Sequence, residues 1–350
     1  MTRAVMPIDW KGVERVLVVK LRSIGDTVLA TPSLIALKRL APHAKIDILL
    51  EQSIAPVLDG FEYVDSILTV GKSATDRLRM FRHLRSRHYD VAFNLHGGTT
   101  AAFFTRATMA PYRFGIASYQ YSFLHNRLLP SVTGFWGGYP THSAEQQLAV
   151  VGFAGVPVDD RPKSHLAVTP EASAAIDRRL SERGIHEFAL LHPASMFHTK
   201  QWPITNFAKL ADFLAKNGLQ TVAVAAENER LLLDELSRRT DASVFTFCDL
   251  SLPEINALAA RAALFVGNDS GIAHIAAAVK TPVVVIFGSS NRSHWGPWTD
   301  SPSEMVYNDF PCQPCAGYTC HVFGEPQCIL TVSPENVFAA VTRMLEKEAR

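Results

Sequence analysis

Four stretches of this sequence place an acid, a hydroxyl or a lysine where an apolar run meets a helical period, two of them beside glycine. In the first, LRSIGDTVLATP (residues 21–32), Gly25 permits a tight turn and Asp26 falls at or just before the first turn of the following helix. A carboxylate held there is a candidate general base for a hydroxyl nucleophile; its structural alternative is a helix cap. In the second, LLHPASMFHTKQWP (190–203), Ser195 and Thr199 offer hydroxyls, Lys200 offers a compact cation, and Trp202-Pro203 announces a helix start, a set suited to a diphosphate. In the third, Glu227 and Glu229 open a helix after a strand, where a carboxylate either stabilises the helix dipole or accepts hydrogen bonds from ribose hydroxyls. The fourth runs through Gly267-Asn268-Asp269-Ser270-Gly271 into a helix carrying His274, so that free amides at its start welcome negative charge. His274 is assigned a supporting part.

These loops need strands to end in and helices to begin. Short β-branched runs at 15–20, 45–50, 64–70, 90–95 and 112–116 alternate with helical segments, and the pattern resumes at 188–192, 221–225, 244–247, 263–266 and 282–287. Such alternation predicts an α/β protein built on parallel sheets covered on both faces. Residues 27–40 carry one apolar stripe and predict a single helix, stopped by Pro42. Residues 128–140 are aperiodic and predict a loop, and 157–170, with three prolines and several charges, suits a linker. The expected division is 1–160, 161–332, and a last helix within 333–350 that packs against either domain. No G-x-G-x-x-G follows the first strand, so a dinucleotide site is disfavoured, and Gly71–Ser73 lacks the first glycine of a phosphate loop.

At 350 residues the chain exceeds a single core, and a net charge of +1, spread along the sequence, disfavours nucleic acid as a partner. The first apolar run, Val16 to Val19, is too short for a signal-peptide core or a membrane span, so a cytoplasmic location is expected. Peripheral hold on the inner face of a membrane, through exposed aromatic and arginine clusters, remains compatible with this. Cys312, Cys315, Cys320 and Cys328 have the short spacing of a structural zinc site, with reduced thiols or one oxidised pair as the alternatives.

Three blocks make the reading specific. SIGDTVLATPSLIALKRLAP, HPASMFHTKQWP and GNDSGIAHIAAAVKTPVVVIFGSSNRSHWGPW resemble signature blocks of glycosyltransferase family 9, the ADP-heptose:lipopolysaccharide heptosyltransferases, with weaker likenesses at NLHGGTTAAF, YRFGI and HSAEQQLAVVGFAGVP. The resemblance implies a GT-B fold, two Rossmann-like domains with parallel sheets facing across a cleft. The first would bind the acceptor and the second the nucleotide-sugar donor. It further implies inverting transfer of a heptose from an ADP-heptose donor to a lipopolysaccharide inner-core or related glycan acceptor, without a catalytic metal or other cofactor. By position, Asp26 matches the family's general base, and Ser195 and Lys200 match diphosphate contacts. Asp269, Ser270, Gly271 and His274 match the nucleotide loop, and Glu227 or Glu229 the ribose acid. Arg22, Ser23, Gly25, His96, Arg113 and Arg127 are acceptor-side candidates.

The chain departs from the family pattern at Ala225-Ala226, where relatives often carry Gly-Gly, which leaves Glu227 and Glu229 both open. Asn94 stands where an Asp is frequent. Rival readings are a GT-B transferase or epimerase using another nucleotide sugar, a non-catalytic sugar-nucleotide-binding protein, and a Rossmann dehydrogenase.

Overall fold

The structure, a computed structural model, describes residues 8–315 and 317–348. Contacts divide the chain into two units, Met1–His165 and Leu166–Arg350.

In the first unit, strands β1 (Arg15–Val19), β2 (Lys45–Glu51), β3 (Ser66–Val70), β4 (Val91–Asn94), β5 (Tyr112–Ile116) and β6 (Arg127–Leu129) form one sheet in the order β3-β2-β1-β4-β5-β6. Every pairing in it is parallel. Helices α1 (Ile24–Val28), α2 (Thr31–Leu40), α3 (Ala74–Ser86), α4 (Thr99–Ala107), α5 (Val132–Phe135) and α6 (Ser143–Gly152) connect or flank the strands. Strand β1, Arg-Val-Leu-Val-Val, buries its last four residues, as a strand covered on both faces must.

The second unit follows the same plan. Its strands β7 (Phe188–His192), β8 (Gln220–Val224), β9 (Val244–Phe247), β10 (Leu264–Asn268), β11 (Val283–Ile286) and β12 (Ser303–Val306) lie in the order β12-β11-β10-β7-β8-β9, again all parallel. Its helices are α7 (Pro170–Glu182), α8 (Ile204–Lys216), α9 (Arg230–Arg239), α10 (Leu252–Arg261), α11 (Gly271–Ala278), α12 (Arg292–Trp295), α13 (Gln327–Leu330) and α14 (Pro334–Glu348). Counted from its own first strand, each sheet therefore runs 3-2-1-4-5-6. The strand order reverses between β1 and β4 in one unit and between β7 and β10 in the other, and at such a switch point a crevice opens beyond the carboxyl ends of the strands.

The structure corrects three local expectations. The single helix over 27–40 is two, α1 and α2, interrupted at Leu29 and Ala30, because Pro32 stands in the first turn of α2, where its missing N–H and fixed φ favour a helix start. The aperiodic stretch 128–140 takes in the end of β6 and the single turn α5, each too short for a period to register. Strand β12, Ser-Glu-Met-Val, was not expected either: it lies at a sheet edge and buries only Val306. The last helix, α14, packs on α8, β11 and β12 of the second unit, with Phe338 stacked on Phe213 at 4.4 Å between ring centres. Among the described residues no helix is long and apolar enough to cross a membrane.

Candidate active site

A strand whose last four residues are apolar is followed by a lysine at the first switch point. Lys20 is only 4% exposed, and its Nζ donates to the Leu95 carbonyl beyond β4 (3.1 Å) and pairs with Asp26 Oδ1 at 3.0 Å. It thus ties the ends of β1 and β4 together. A buried ammonium without a partner costs several kcal/mol, so Asp26 is fixed opposite it for an electrostatic reason. Asp26 lies in the short helix α1, and its side chain keeps 30% of its surface open. The preceding Ser23 has φ 71°, a conformation that costs a non-glycine residue about 1–3 kcal/mol. Its carbonyl accepts hydrogen bonds from both the amide (3.1 Å) and the hydroxyl (2.9 Å) of Thr27, which hold the bend in place.

The loop after β4 faces this bend. Asn94 is fully buried, and its Oδ1 accepts from the amides of His96 (3.1 Å) and Gly97 (2.9 Å). It organises the loop instead of reaching towards an acceptor. Gly97 has φ +92°, and a Cβ there would lie 3.1 Å from the Tyr119 ring, so only glycine lets that ring approach. Burial, then the charges of Lys20 and Arg22, push the His96 imidazole down to about 4 against the pull of Asp26, leaving it neutral at pH 7. Burial and the Asp26 charge push the Tyr119 phenol upwards, so it remains a protonated donor. Arg22 is largely exposed and pairs with Glu51 at 3.0 Å.

Of the residues named from sequence on this side, Arg22, Ser23, Gly25, Asp26 and His96 come together. Arg113 and Arg127 belong instead to the outer strands β5 and β6. Arg113 donates to the carbonyls of Ala110 (2.5 Å) and Leu124 (3.2 Å), and Arg127 donates to the Asn126 carbonyl (3.1 Å) and lies over the Tyr112 ring. Both guanidiniums brace this edge of the sheet. Sequence reasoning missed Lys20 and Tyr119. A charge closing a run of four apolar residues was the signal available for the first.

At the second switch point the lysine and the carboxylate follow different strands, Lys200 after β7 and Asp269 after β10. Asp269, 5% exposed beyond β10, pairs through Oδ2 with Lys200 Nζ (2.7 Å) and accepts the Ser290 hydroxyl on the same oxygen (2.5 Å). The Ser195 hydroxyl reaches the Asp269 carbonyl at 3.5 Å. Asn268 secures the frame: its Oδ1 accepts from the Trp202 amide (3.1 Å) and its Nδ2 donates to the Pro193 carbonyl (2.7 Å). A Cβ on Gly267 would come within 2.9 Å of the His192 carbonyl, so the close approach of β7 and β10 requires glycine.

Ser270 is the N-cap of α11, yet its side chain makes no capping bond; its hydroxyl meets His192 Nδ1 at 3.1 Å instead. The first-turn amides, beginning with Gly271, therefore present the positive end of the helix dipole without a side-chain cap from Ser270. His274 is buried within α11. Beyond the neighbouring β8, Glu229 caps the Ala226 amide (3.1 Å), while Glu227 is exposed and pairs with Arg230 (2.6 Å), whose hydrogen bonds hold its carboxyl below the ordinary range. The two acids left open by the sequence thus have different environments.

The family model for glycosyltransferase family 9 (heptosyltransferase) matches residues 77–324, more than half of the chain. This chain belongs to that family. It is 28% identical over 342 residues to lipopolysaccharide heptosyltransferase 3 of Escherichia coli K12, covering 94% of this chain and 97% of that one. Among solved structures, a family 9 glycosyl transferase from Veillonella parvula superposes with a TM-score of 0.83 at 19% identity, covering 95% and 97% of the two chains. The E. coli ADP-heptose lipopolysaccharide heptosyltransferase II gives 0.80 at 20% identity, covering 96% and 100%. The fold of this family 9 glycosyltransferase is GT-B, two Rossmann-like units each built on a six-stranded parallel sheet.

The cysteine loop of this family 9 enzyme braces the second switch point. Cys312, Cys315, Cys320 and Cys328 line one cavity with Thr199 and Ser289, and all four are free thiols. Among the described residues no group of three or more His, Cys, Asp or Glu is arranged to hold a metal. Burial, then the neighbouring cysteines, push the Cys328 thiol up to about 11 and the Cys315 thiol upwards too, and Cys315 Sγ donates to the Cys312 carbonyl. From this loop the Cys315 amide donates to the Ser289 carbonyl (2.8 Å), and the Gly317 carbonyl accepts the Thr199 hydroxyl (3.0 Å). Tyr318 packs edge-on against Phe197. The loop thereby fixes the segment next to Lys200.

His192 supplies a pH test of this packing. Burial lowers its imidazole from an ordinary 6.5 to about 4, so its contribution to stability is complete above pH 6.5 and is lost as pH falls towards 4. At about 1.4 kcal/mol per unit, the loss between pH 7 and pH 5 amounts to about 2 kcal/mol. Urea unfolding at the two pH values is expected to show a loss of stability in the native chain to which His96 also contributes, and about 2 kcal/mol less of it in His192→Gln. Equal pH dependence in both proteins would remove the assignment.

Proposed function

We propose that this chain transfers a heptose from an ADP-heptose donor to a lipopolysaccharide inner-core or related glycan acceptor, inverting the anomeric centre, with Asp26 as general base. The observation that carries the reading is the Lys20–Asp26 pair at the β1/β4 switch point, a half-open carboxylate held on a strained bend. A sugar hydroxyl has a pKa far above neutrality, so a carboxylate within hydrogen-bond reach must take its proton as the new glycosidic bond forms. Lys20 orients that carboxylate, while neutral His96 and the Tyr119 phenol supply polar contacts for the acceptor. Of the three arginines named from sequence, Arg22, largely exposed beside Asp26, is the one that meets acidic groups on the acceptor.

In this proposal the first unit binds the acceptor and the second the donor. As the donor's glycosyl bond breaks, the anomeric carbon gains oxocarbenium character and the departing ADP gains negative charge. Lys200, the Ser195 hydroxyl and the amides at Ser270–Gly271 receive that charge. Asp269 and Ser290 hold the Lys200 ammonium, and His192 and His274 support the loop. Glu227, whose carboxylate is not used as a cap, contacts the ribose. Charge stabilisation then comes from the chain's own groups, and the reaction takes place at the cytoplasmic face of the inner membrane.

The donor assignment is tested by thermal shift with ADP-heptose, ADP-glucose, UDP-N-acetylglucosamine and NAD. A ligand at about one hundred times its dissociation constant adds about 2.7 kcal/mol of apparent stability, which is readily measured. The ADP sugars are expected to stabilise the chain, with ADP-heptose foremost. Stabilisation by the UDP sugar or by NAD without the ADP sugars would overturn the reading.

A further inference from the structure

The chain's net charge is only +1, yet residues 72–88 hold six lysines and arginines against the single acid Asp76. Helix α3 places Met80, Phe81 and Leu84 inwards, where Phe81 packs on Phe104 of α4. The inward stripe fixes the orientation of the rest. Leu78, Arg82 and Arg85, spaced i, i+4 and i+7, share an outer stripe, and Leu78 is 52% exposed. Two cations of the segment are neutralised by carboxylates, Arg79 by Asp76 (3.2 Å) and Arg87 by Asp47 (3.3 Å). Arg82 and Arg85 are both exposed, and neither has an ion pair among the described residues.

The adjoining helix α4 continues the surface with apolar side chains. Phe103 is 43% exposed and packs on Tyr121 (5.7 Å between ring centres), which in turn packs on Phe123 (6.0 Å), itself 76% exposed. Tyr121 adopts φ +59° at the start of the turn Ser122–Leu124, a conformation costly for an aromatic residue, and the turn lies against α4. Met109, also exposed, has the Arg106 guanidinium against its sulfur. Three exposed rings in sequence beside unpaired arginines are unfavourable in water alone. Aromatic rings that enter a headgroup region, flanked by cations that meet anionic lipid, satisfy both.

We propose that the outer surface of α3, α4 and the turn Ser122–Leu124 docks on a bilayer bearing anionic phospholipids. Charge complementarity selects this occupant: the unpaired arginines meet anionic headgroups, and the exposed rings bury apolar area against the bilayer. The proposal is independent of the transfer chemistry, since none of these side chains belongs to the Asp26 or Lys200 sites.

The test is co-sedimentation of the full chain with phosphatidylglycerol/phosphatidylethanolamine vesicles and with phosphatidylcholine vesicles, in about 0.1 M and about 0.5 M salt. Binding to the anionic vesicles is expected, weakened by salt, with little on phosphatidylcholine. The double variants Arg82→Glu/Arg85→Glu and Phe103→Ser/Phe123→Ser are each expected to lower the partition coefficient about tenfold or more. Melting temperature and affinity for ADP should be unchanged in both, which separates lost docking from lost folding. No sedimentation with anionic vesicles, or unaltered binding by both variants, would overturn the proposal. So would binding that appears only when lipopolysaccharide acceptor is added to the vesicles, since the surface would then read the acceptor and not the bilayer.

Discussion

Replacing Asp26 with asparagine is expected to lower kcat about a hundredfold to ten-thousandfold while leaving affinity for ADP within about twofold. Asparagine has the shape of aspartate and can still meet the Lys20 ammonium, now 3.0 Å from Oδ1, but it cannot accept the acceptor's proton. The same change removes the counter-charge of a lysine that is 4% exposed. Some stability must therefore be lost, about 1–2 kcal/mol, less than for a fully buried pair because Asp26 is partly open to solvent. The double variant Lys20→Met/Asp26→Asn separates the two effects, since it removes both charges. It is expected to regain the melting temperature and to stay inactive. Transfer by Asp26→Asn within about threefold of the native rate would reduce Asp26 to a counter-ion for Lys20 and remove the proposed base.

Lys200→Ala is expected to produce the second large effect, and a different one. It leaves the Asp269 carboxylate, 5% exposed, with the Ser290 hydroxyl but without its cation. Breaking a buried pair from one side costs about 3–5 kcal/mol, so the second unit should unfold at markedly lower urea. Donor affinity, read by calorimetry with ADP-heptose, should fall about tenfold to a hundredfold, the worth of a charge-assisted contact to phosphate. Lys200→Ala/Asp269→Asn is expected to recover most of the stability and none of the affinity. If that double variant binds donor as the native chain does, Lys200 serves only to neutralise Asp269, and the diphosphate must be held by the amides at the start of α11.

The two switch points explain how much of this site the sequence made legible. Gly25-Asp26 and Gly267 to Gly271 are local signals: glycine next to a polar residue at the end of an apolar run marks a strand-to-helix turn whatever the rest of the chain does. The alternation of strands and helices likewise follows from short-range periodicity, so the α/β class could be read directly. Local patterns fail where the element is short. Strand β6 has three residues and α5 four, and the break between α1 and α2 depends on one proline.

Partnership lies beyond any local pattern. Lys20 and Leu95 are 75 positions apart, Lys200 and Asp269 are 69, and each pair meets only because the chain returns its fourth strand beside its first. Arg113 and Arg127, equivalent in type to Arg22, are drawn into backbone contacts at the sheet edge by the same strand order. Residue types and their spacing determined which groups were available for acid–base and phosphate chemistry. The parallel strand order decided which of them share a crevice, because desolvation obliges a buried charge to find its opposite wherever the sheet brings one within reach.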